Sequence, residues 1–88
     1  MSYRAAWTSP ARRDLTRLPP RIATVILTYV DQRLVENPQR LSKPLQGSLD
    51  GLRSARSGDY RILFRLDEGS EQLFVTRVDH RAHAYRPS

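Results

Sequence analysis

The chain has 88 residues, of which 39% are hydrophobic and 27% charged, and it contains no cysteine. That length suits one hydrophobic core, so we expect a single domain over residues 1–88, with neither a disulfide nor a cysteine-based metal site. Fifteen basic residues against nine acidic ones give a net charge of +6, which favours a polyanionic partner such as nucleic acid.

The basic residues are arginines with the single exception of Lys43. A guanidinium binds phosphate through two parallel hydrogen bonds and stacks on bases, which an ammonium group does poorly. On the alternative interpretation, the arginines reflect genomic base composition and their charge provides solubility. Residues 1–4 lack the apolar core of a signal peptide, and no apolar run approaches the length of a membrane span. We therefore expect a cytoplasmic protein without a membrane partner.

The first part of the chain predicts a strand followed by a helix. Residues 3–7 alternate large and small side chains, as a short strand does. Ser9 and Pro10 form a helix-start signal, because a hydroxyl caps free N–H groups and proline fits the first helical position. Pro19 and Pro20 end this helix and begin another.

The second helix has the clearest hydrophobic pattern. Its apolar residues recur at spacings of three and four, which predicts one face turned to a core. These residues are Ile22, Val25, Ile26, Tyr29, Val30 and Leu34. Asn37 and Pro38 end the helix, and the Pro and Gly residues spread over 38–51 predict a loop-rich connection. The two helices are expected to form an antiparallel hairpin laid over a sheet.

The second half of the chain predicts three strands, at about residues 52–56, 59–66 and 72–79, with a polar turn at 67–71. Alternation along the middle strand predicts one apolar face, formed by Tyr60, Ile62, Phe64 and Leu66. Leu63, Leu73 and Val75 are expected to make the opposite face partly apolar. The element order predicts an α+β fold, with an N-terminal strand and helical hairpin packed on a small, mainly antiparallel sheet.

Candidate catalytic residues cluster in two short segments, at Arg61 and after residue 79. RNA can be cleaved without a metal because its own 2′-OH is the nucleophile, so an enzyme supplies a base, an acid and positive charge for the phosphate. Arg61 and Arg81 suit the charge-stabilising role. His80 or His83 can transfer protons near neutral pH, and Tyr85 can do so or stack on a base.

Each of these residues also has a purely structural interpretation. Arg61 is then a solvated strand arginine paired with an acidic neighbour, Tyr85 fills the edge of the core, and the two histidines belong to a polar tail. Because zinc and iron sites normally need three or more converging ligands, and the chain has two histidines and no cysteine, we expect no metal site and no cofactor.

Several short motifs are spread over nearly the whole chain. They are Arg12, Asp14, Leu15, Leu18 and Pro19 near the start, then Asn37-Pro38, Lys43-Pro44-Leu45-Gln46-Gly47, Leu49-Asp50-Gly51-Leu52-Arg53, Arg56-Ser57-Gly58-Asp59-Tyr60-Arg61-Ile62-Leu63-Phe64, Val78-Asp79-His80-Arg81 and Tyr85-Arg86. With these motifs the chain resembles the RelE/ParE superfamily of toxins from bacterial toxin–antitoxin pairs, and more closely the RelE branch.

The RelE-branch resemblance implies a metal-independent endoribonuclease that cuts messenger RNA on the ribosome and so inhibits translation. The implied catalytic positions are Arg61, Arg81 and Tyr85. The implied RNA-binding candidates are Arg53 and Arg56, and Lys43 is a further RNA-binding candidate. The implied partners are a cognate antitoxin, the ribosome and its messenger RNA, with operator DNA contacted only through the toxin–antitoxin complex.

The same resemblance leaves the general base open. Some relatives carry two lysines on the strand that corresponds to residues 52–56, and one of the two is a candidate for the base. Here that strand has no lysine, and an arginine stays protonated. Either Tyr85 or a histidine takes the proton, or the activity is weaker and different.

Two alternatives to the nuclease follow from the same superfamily. The ParE branch shares the fold but inhibits DNA gyrase, and on that interpretation the terminal His-Arg-Tyr cluster is a contact surface without catalysis. A third alternative is an inactive member that binds only its antitoxin and operator DNA.

Overall fold

The structure is a computed structural model that describes residues 2–80 of the chain. Residues 1 and 81–88 lie outside the described part. The elements in chain order are β1 (Arg4–Trp7), α1 (Ser9–Thr16), α2 (Pro20–Tyr29), β2 (Ser42–Pro44), β3 (Arg53–Ser57), β4 (Tyr60–Asp67) and β5 (Gln72–His80). A π-helical turn, Val30–Leu34, continues α2, and a 3₁₀ turn, Gly47–Leu49, follows β2. Within residues 2–80, no helix is long and apolar enough to cross a membrane.

The strands form one five-stranded sheet in the order β1-β5-β4-β3-β2. β1 runs parallel to β5, and every other neighbouring pair is antiparallel. The two helices cover one face of the sheet, where Ala11 and Ile26 join Phe64 and Val75 in a continuous buried core. The helices leave the other face open, although Leu63, which the sequence predicts on this face, and Ser54 opposite it are buried. This architecture confirms the α+β fold expected from the sequence.

The apolar stripe predicted for the second helix is confirmed except at one position. Ile26, Val30 and Leu34 are almost fully buried, whereas Val25 is 55% exposed. Residue 25 lies at the edge of the stripe, where the helix surface turns away from the sheet, so its side chain reaches solvent. The prediction that Val25 belongs to the core was therefore wrong.

The start of α1 is capped by a different hydroxyl from the one expected. Thr8 is the N-cap residue, and its side chain accepts a hydrogen bond from the backbone N–H of Ala11 at 3.4 Å. Ser9 is already the first helical residue. The same Thr8 hydroxyl donates to the carbonyl oxygen of Val75 at 3.0 Å, so one side chain both begins the helix and fixes it to β5.

The connection over residues 38–51 contains a strand that the sequence pattern did not predict. β2 is three residues long and pairs antiparallel with β3, placing Lys43 opposite Ser54. Its proline and lysine are residues that rarely continue a sheet outward. A strand so short carries too few residues to display an alternating pattern, which explains why the segment reads as a loop.

A β-bulge in β5 changes which side chains face the core. Phe64 pairs with Val75 but Leu63 pairs with Arg77, so Thr76 is an extra residue in the ladder. Leu73 and Val75, before the bulge, are directly opposite Leu66 and Phe64 and share the helix-covered face with them, so the expectation that they lie on the opposite face was wrong. A bulge bends the strand and reverses the alternation beyond it. Val78, three residues after Val75, therefore also enters the core.

The edge of β5 beyond the bulge is closed by Asp14 of α1. This carboxylate accepts hydrogen bonds from the backbone N–H of Val78 at 2.8 Å and from Nε of Arg77 at 2.8 Å. The Asp14 side chain is 8% exposed and that of Arg77 is 50% exposed. The hydrogen bond to Asp14 is the largest cause that raises the pKa of Arg77 above its ordinary value. A buried charge is tolerated here because it is both paired and hydrogen-bonded.

Replacing this carboxylate tests how much the contact contributes. Asp14→Ala should lower the free energy of unfolding by about 3 kcal/mol, because it leaves a buried amide without an acceptor and Arg77 without its partner. Urea unfolding followed by circular dichroism measures the change. The exposed Asp31 supplies the control, since Asp31→Ala should change stability by about 0.5 kcal/mol or less. Equal effects of the two substitutions would contradict the role given to Asp14.

Candidate active site on the open sheet face

The open face of the sheet carries a cleft of about 400 Å³ lined by basic side chains. Its lining residues are Arg40, Leu41, Ser42, Lys43, Ser54, Ala55, Arg56 and Arg61. Four of the eight are cationic, and none is acidic. A concave surface lined by one sign of charge concentrates the field of its charges, so the cleft attracts an anion.

The register of the sheet brings the central cations together. Arg56 on β3 is directly opposite Arg61 on β4, and Lys43 on β2 is opposite Ser54 on β3. Residues directly opposite across antiparallel strands have Cβ atoms about 5 Å apart. Lys43, Arg56 and Arg61 therefore form one group, which we call the cationic cluster.

Asp79 borders the cationic cluster on its β5 side. It is directly opposite Arg61, and its Oδ1 accepts a hydrogen bond from the backbone N–H of His80 at 2.8 Å. Arg61 consequently has a cation across one strand boundary and an anion across the other. A carboxylate in this position holds a guanidinium in place and offsets part of the repulsion from Arg56.

His80 lies on the other side of β5 from the cationic cluster. It is opposite Tyr60, and the two rings meet edge to face with centroids 5.4 Å apart and an interplanar angle of 82°. Tyr60 packs against the helix-covered core. The structure thus does not bring His80 together with Arg61, although they are neighbours in the sheet.

Arg53 is likewise separated from the cationic cluster. Alternation along β3 turns it to the face opposite that of Arg56. Its Nε donates to the hydroxyl of Ser42 at 2.7 Å, and its Nη2 donates to the carbonyl oxygen of Gln39 at 3.2 Å. These bonds attach the connection before β2 to β3, which gives Arg53 a structural role in the described part of the chain.

Three residues expected at the site lie outside the described residues, namely Arg81, His83 and Tyr85. They follow in the chain directly after His80, the last residue of β5. Among residues 2–80, no three His, Cys, Asp or Glu side chains come together in an arrangement that could hold a metal ion.

Two members of the site were missed by the sequence analysis. Arg40 lines the cleft from the connection before β2, and no local pattern marks it, because its position depends on a strand that was itself not predicted. The position of Asp79 could have been predicted from the sequence. The spacing of three between Val75 and Val78 breaks the alternation of two and indicates a bulge, which places Asp79 on the same face as Arg61.

The sequence of the chain is similar to those of known toxins. The family model for the ParE toxin of the type II toxin–antitoxin system parDE matches residues 5–85. Toxin RelG of Mycobacterium tuberculosis is 44% identical over 86 residues, which cover 98% of this chain and 99% of that protein. Toxin RelE of the same organism is 43% identical over 84 residues, covering 96% and 87%.

The solved structures agree with the sequence relatives. The chain is similar to one in the crystal structure of the toxin–antitoxin complex RelBE2 from Mycobacterium tuberculosis, with a TM-score of 0.88, 42% identity and coverage of 92% of this chain and 100% of that one. It is also similar in fold to a chain of the archaeal RelE–RelB complex from Pyrococcus horikoshii, with a TM-score of 0.71, 24% identity and coverage of 96% and 100%.

The separation of Arg53 from the cationic cluster can be tested by the salt dependence of RNA binding. Each phosphate contact to a single strand contributes about 0.7 to the slope of log K against log[salt]. Arg56→Ala should therefore make the slope for a short single-stranded RNA shallower by about that amount. Arg53→Ala removes the same charge from the other face of β3 and should leave the slope unchanged. Fluorescence anisotropy at several salt concentrations measures both, and equal slopes for the two variants would contradict the geometry.

Proposed function

The chain belongs to the ParE toxin family and is a RelE-type toxin of a toxin–antitoxin system, and from this we propose that it is a metal-independent endoribonuclease that cleaves messenger RNA on the ribosome. The observation that carries the proposal is the cationic cluster, in which Arg61 sits beside Arg56 in a cleft of the open sheet face. Such a cleft fits the phosphate of an RNA strand, since guanidinium groups bind phosphate oxygens in pairs.

The proposed reaction uses the substrate's own 2′-OH as the nucleophile. Its oxygen attacks the adjacent phosphorus while its proton passes to a base, and the bond from phosphorus to the 5′ oxygen breaks as that oxygen takes a proton from an acid. The products are a 2′,3′-cyclic phosphate and a 5′-OH. Arg61 stabilises the negative charge that develops on the phosphate oxygens, and we assign a second such role to Arg81.

The proton transfers are assigned to the C-terminal segment. Tyr85 and His83 are the candidates for base and acid, by resemblance to the family and by side-chain chemistry. His80 contacts Tyr60 on the helix-covered side of the sheet, which makes it a weaker candidate than His83. Lys43 and Arg56, which follow Arg61 across the neighbouring strands β3 and β2, contribute binding of the message to one side of the scissile phosphate.

The proposed partners follow from the same cleft and from the relatives. A similar chain comes from a toxin–antitoxin complex, and we propose that a cognate antitoxin covers the cationic cluster with acidic side chains. Operator DNA is then contacted only through the toxin–antitoxin complex. The ribosome presents both the message and ribosomal RNA to a chain whose net charge is +6.

The alternative function is inhibition of DNA gyrase without nuclease activity. It is favoured by one observation, the match of residues 5–85 to the ParE toxin model. The two functions differ in what they damage, and this difference gives the first test.

Mapping the ends of cellular RNA after toxin expression separates these functions. Cleavage by the 2′-OH should produce 5′-OH ends within translated codons, whereas metal-ion hydrolysis activates water and leaves 5′-phosphate ends. Sequencing libraries selective for each kind of end measure the two populations. Intact messages together with altered plasmid supercoiling would overturn the nuclease and support gyrase inhibition. New 5′-phosphate ends would overturn the metal-independent mechanism.

Substitution in the cleft tests the role of Arg61. Arg61→Ala should slow message cleavage by about 10²-fold or more, the effect typical of losing one preorganised donor to a transition-state charge. Arg65→Ala is the matched control, because it removes the same charge from an exposed position on the same strand.

Arg81→Ala and Tyr85→Phe should also relieve toxicity while antitoxin binding stays nearly intact. If Arg61→Ala, Arg81→Ala and Tyr85→Phe all retained toxicity, the assignment of these residues to the active site would be contradicted.

A further inference from the structure

The outer surface of α1 is basic and carries no exposed acidic residue. Arg12 and Arg13 on α1, and Arg17 at its C-cap, are all exposed. The guanidinium groups of these three make no hydrogen bond or ion pair in the described part of the chain. We call Arg12, Arg13 and Arg17 the helix arginine surface.

The acidic residue of α1 does not neutralise this surface. Asp14 is buried, and its carboxylate is occupied by Arg77 and by the backbone N–H of Val78. Some other exposed arginines have carboxylates nearby. Arg65, for example, shares a cavity with Asp67 and Glu68. The helix arginine surface therefore resembles the cleft, whose lining residues Arg40 and Arg56 also have no acidic neighbour in it, and differs from Arg65.

Helical geometry turns these arginines away from the core. Ala11 and Asp14 are the buried positions of α1, and at 100° per residue Arg12 and Arg13 lie about 130° from the middle of this buried side, with Arg17 on the flank of the helix. Arg13 and Arg17 are four residues apart and so lie about 6 Å apart along the axis. The cationic cluster, in contrast, lies on the sheet face that α1 does not cover.

The composition of this surface favours nucleic acid over protein as its partner. The exposed residues of α1 are polar or small, whereas α2 exposes the apolar Val25 and Leu27. The centre of a protein–protein interface is depleted of charge and enriched in large apolar side chains. A surface of arginines without apolar neighbours is instead typical of phosphate contacts that position a protein on a nucleic acid.

We propose that the helix arginine surface is a second RNA-binding site, which docks the toxin on the phosphate backbone of ribosomal RNA while the cationic cluster holds the message. The proposal rests on the function proposed above, which brings the chain into the ribosome. Because the two sites are on opposite layers, one strand of message does not supply both. The toxin then bridges two RNA molecules, and docking can be lost separately from cleavage.

The test measures binding of a catalytically silent toxin, Arg61→Ala, to vacant bacterial ribosomes. A triple variant, Arg12→Gln with Arg13→Gln and Arg17→Gln, removes the surface while keeping residues that favour a helix. Its affinity should fall roughly ten- to hundredfold near physiological salt, and the slope of log K against log[salt] should become shallower by about 2 to 3. Circular dichroism and urea unfolding verify that the fold is retained.

The matched control removes the same charge from elsewhere. Arg4→Gln, Arg33→Gln and Arg65→Gln are combined on the same silent background, since all three arginines are exposed. Arg33 and Arg65 have an acidic residue within four positions, and the backbone N–H of Arg4 donates to the carbonyl oxygen of Glu71. This variant should bind ribosomes within about threefold of the silent parent, because compensated surface charges contribute little. An equal loss in both triple variants would overturn the proposal, since net charge alone would then explain the binding.

Two further results would also overturn docking through α1. One is unchanged ribosome affinity of the α1 triple variant, and the other is loss of antitoxin binding with ribosome affinity retained, which would make α1 a protein contact. Failure of the proposed function has a different signature. If the wild-type toxin cut no message but the α1 variant still lost ribosome affinity, the nuclease would be refuted and the docking surface would stand.

Discussion

The carboxylate of Asp14 is the contact on which the C-terminal half of the sheet depends. β1 ends at Trp7, opposite Val75, so the next residues of β5 have no neighbouring strand on that side. Asp14 takes the place of that strand by accepting the N–H of Val78, and it binds Arg77 at the same time. A charged acceptor makes these bonds stronger than neutral ones. Helix α1 is thereby held against the strand that ends immediately before the C-terminal segment.

The bulge at Thr76 determines which side chains of β5 face the open cleft and which face the core. Without the extra residue, Val78 would be opposite Arg61 and an apolar side chain would face the open cleft. With it, Asp79 is opposite Arg61 and Val78 is opposite Ile62 in the core. Asp14 binds the amide of the residue that re-enters the core just after the bulge, so the two features support one register. A single-residue slip would turn every later side chain of β5 to the wrong face.

The sequence was sufficient for the architecture because its strongest patterns are long. The apolar spacing over residues 22–34 and the alternation along residues 60–66 identify the main helix and the central strand, and both were confirmed. Features that depend on tertiary contacts were missed: the short strand β2, the bulge at Thr76 and the N-cap Thr8. None of them extends over enough residues to form a period, and each is stabilised by a partner far away in the chain, as Thr8 is by Val75.

The candidate site was predictable in part for the same reason. Alternation along one strand predicts that Arg61 lies on the opposite face from Tyr60. It cannot say that Arg56 and Lys43 are beside Arg61, because this depends on strand pairing and on β2. Nor did residue type distinguish Arg53, which bonds to Ser42 and Gln39, from Arg56, which lines the cleft.

The cationic cluster is better explained by binding than by folding. Like charges directly opposite on neighbouring strands destabilise a sheet, yet Arg56 and Arg61 occupy such a pair, and Asp79 offsets only part of the repulsion. A small domain is only marginally stable. Two like charges on neighbouring strands are therefore expected where an anionic ligand offsets their repulsion. An RNA phosphate and an acidic antitoxin side chain would relieve the same repulsion in the same cleft. On the function and partner proposed above, the two ligands would therefore compete, and inhibition by the antitoxin would need no change in the fold of the toxin.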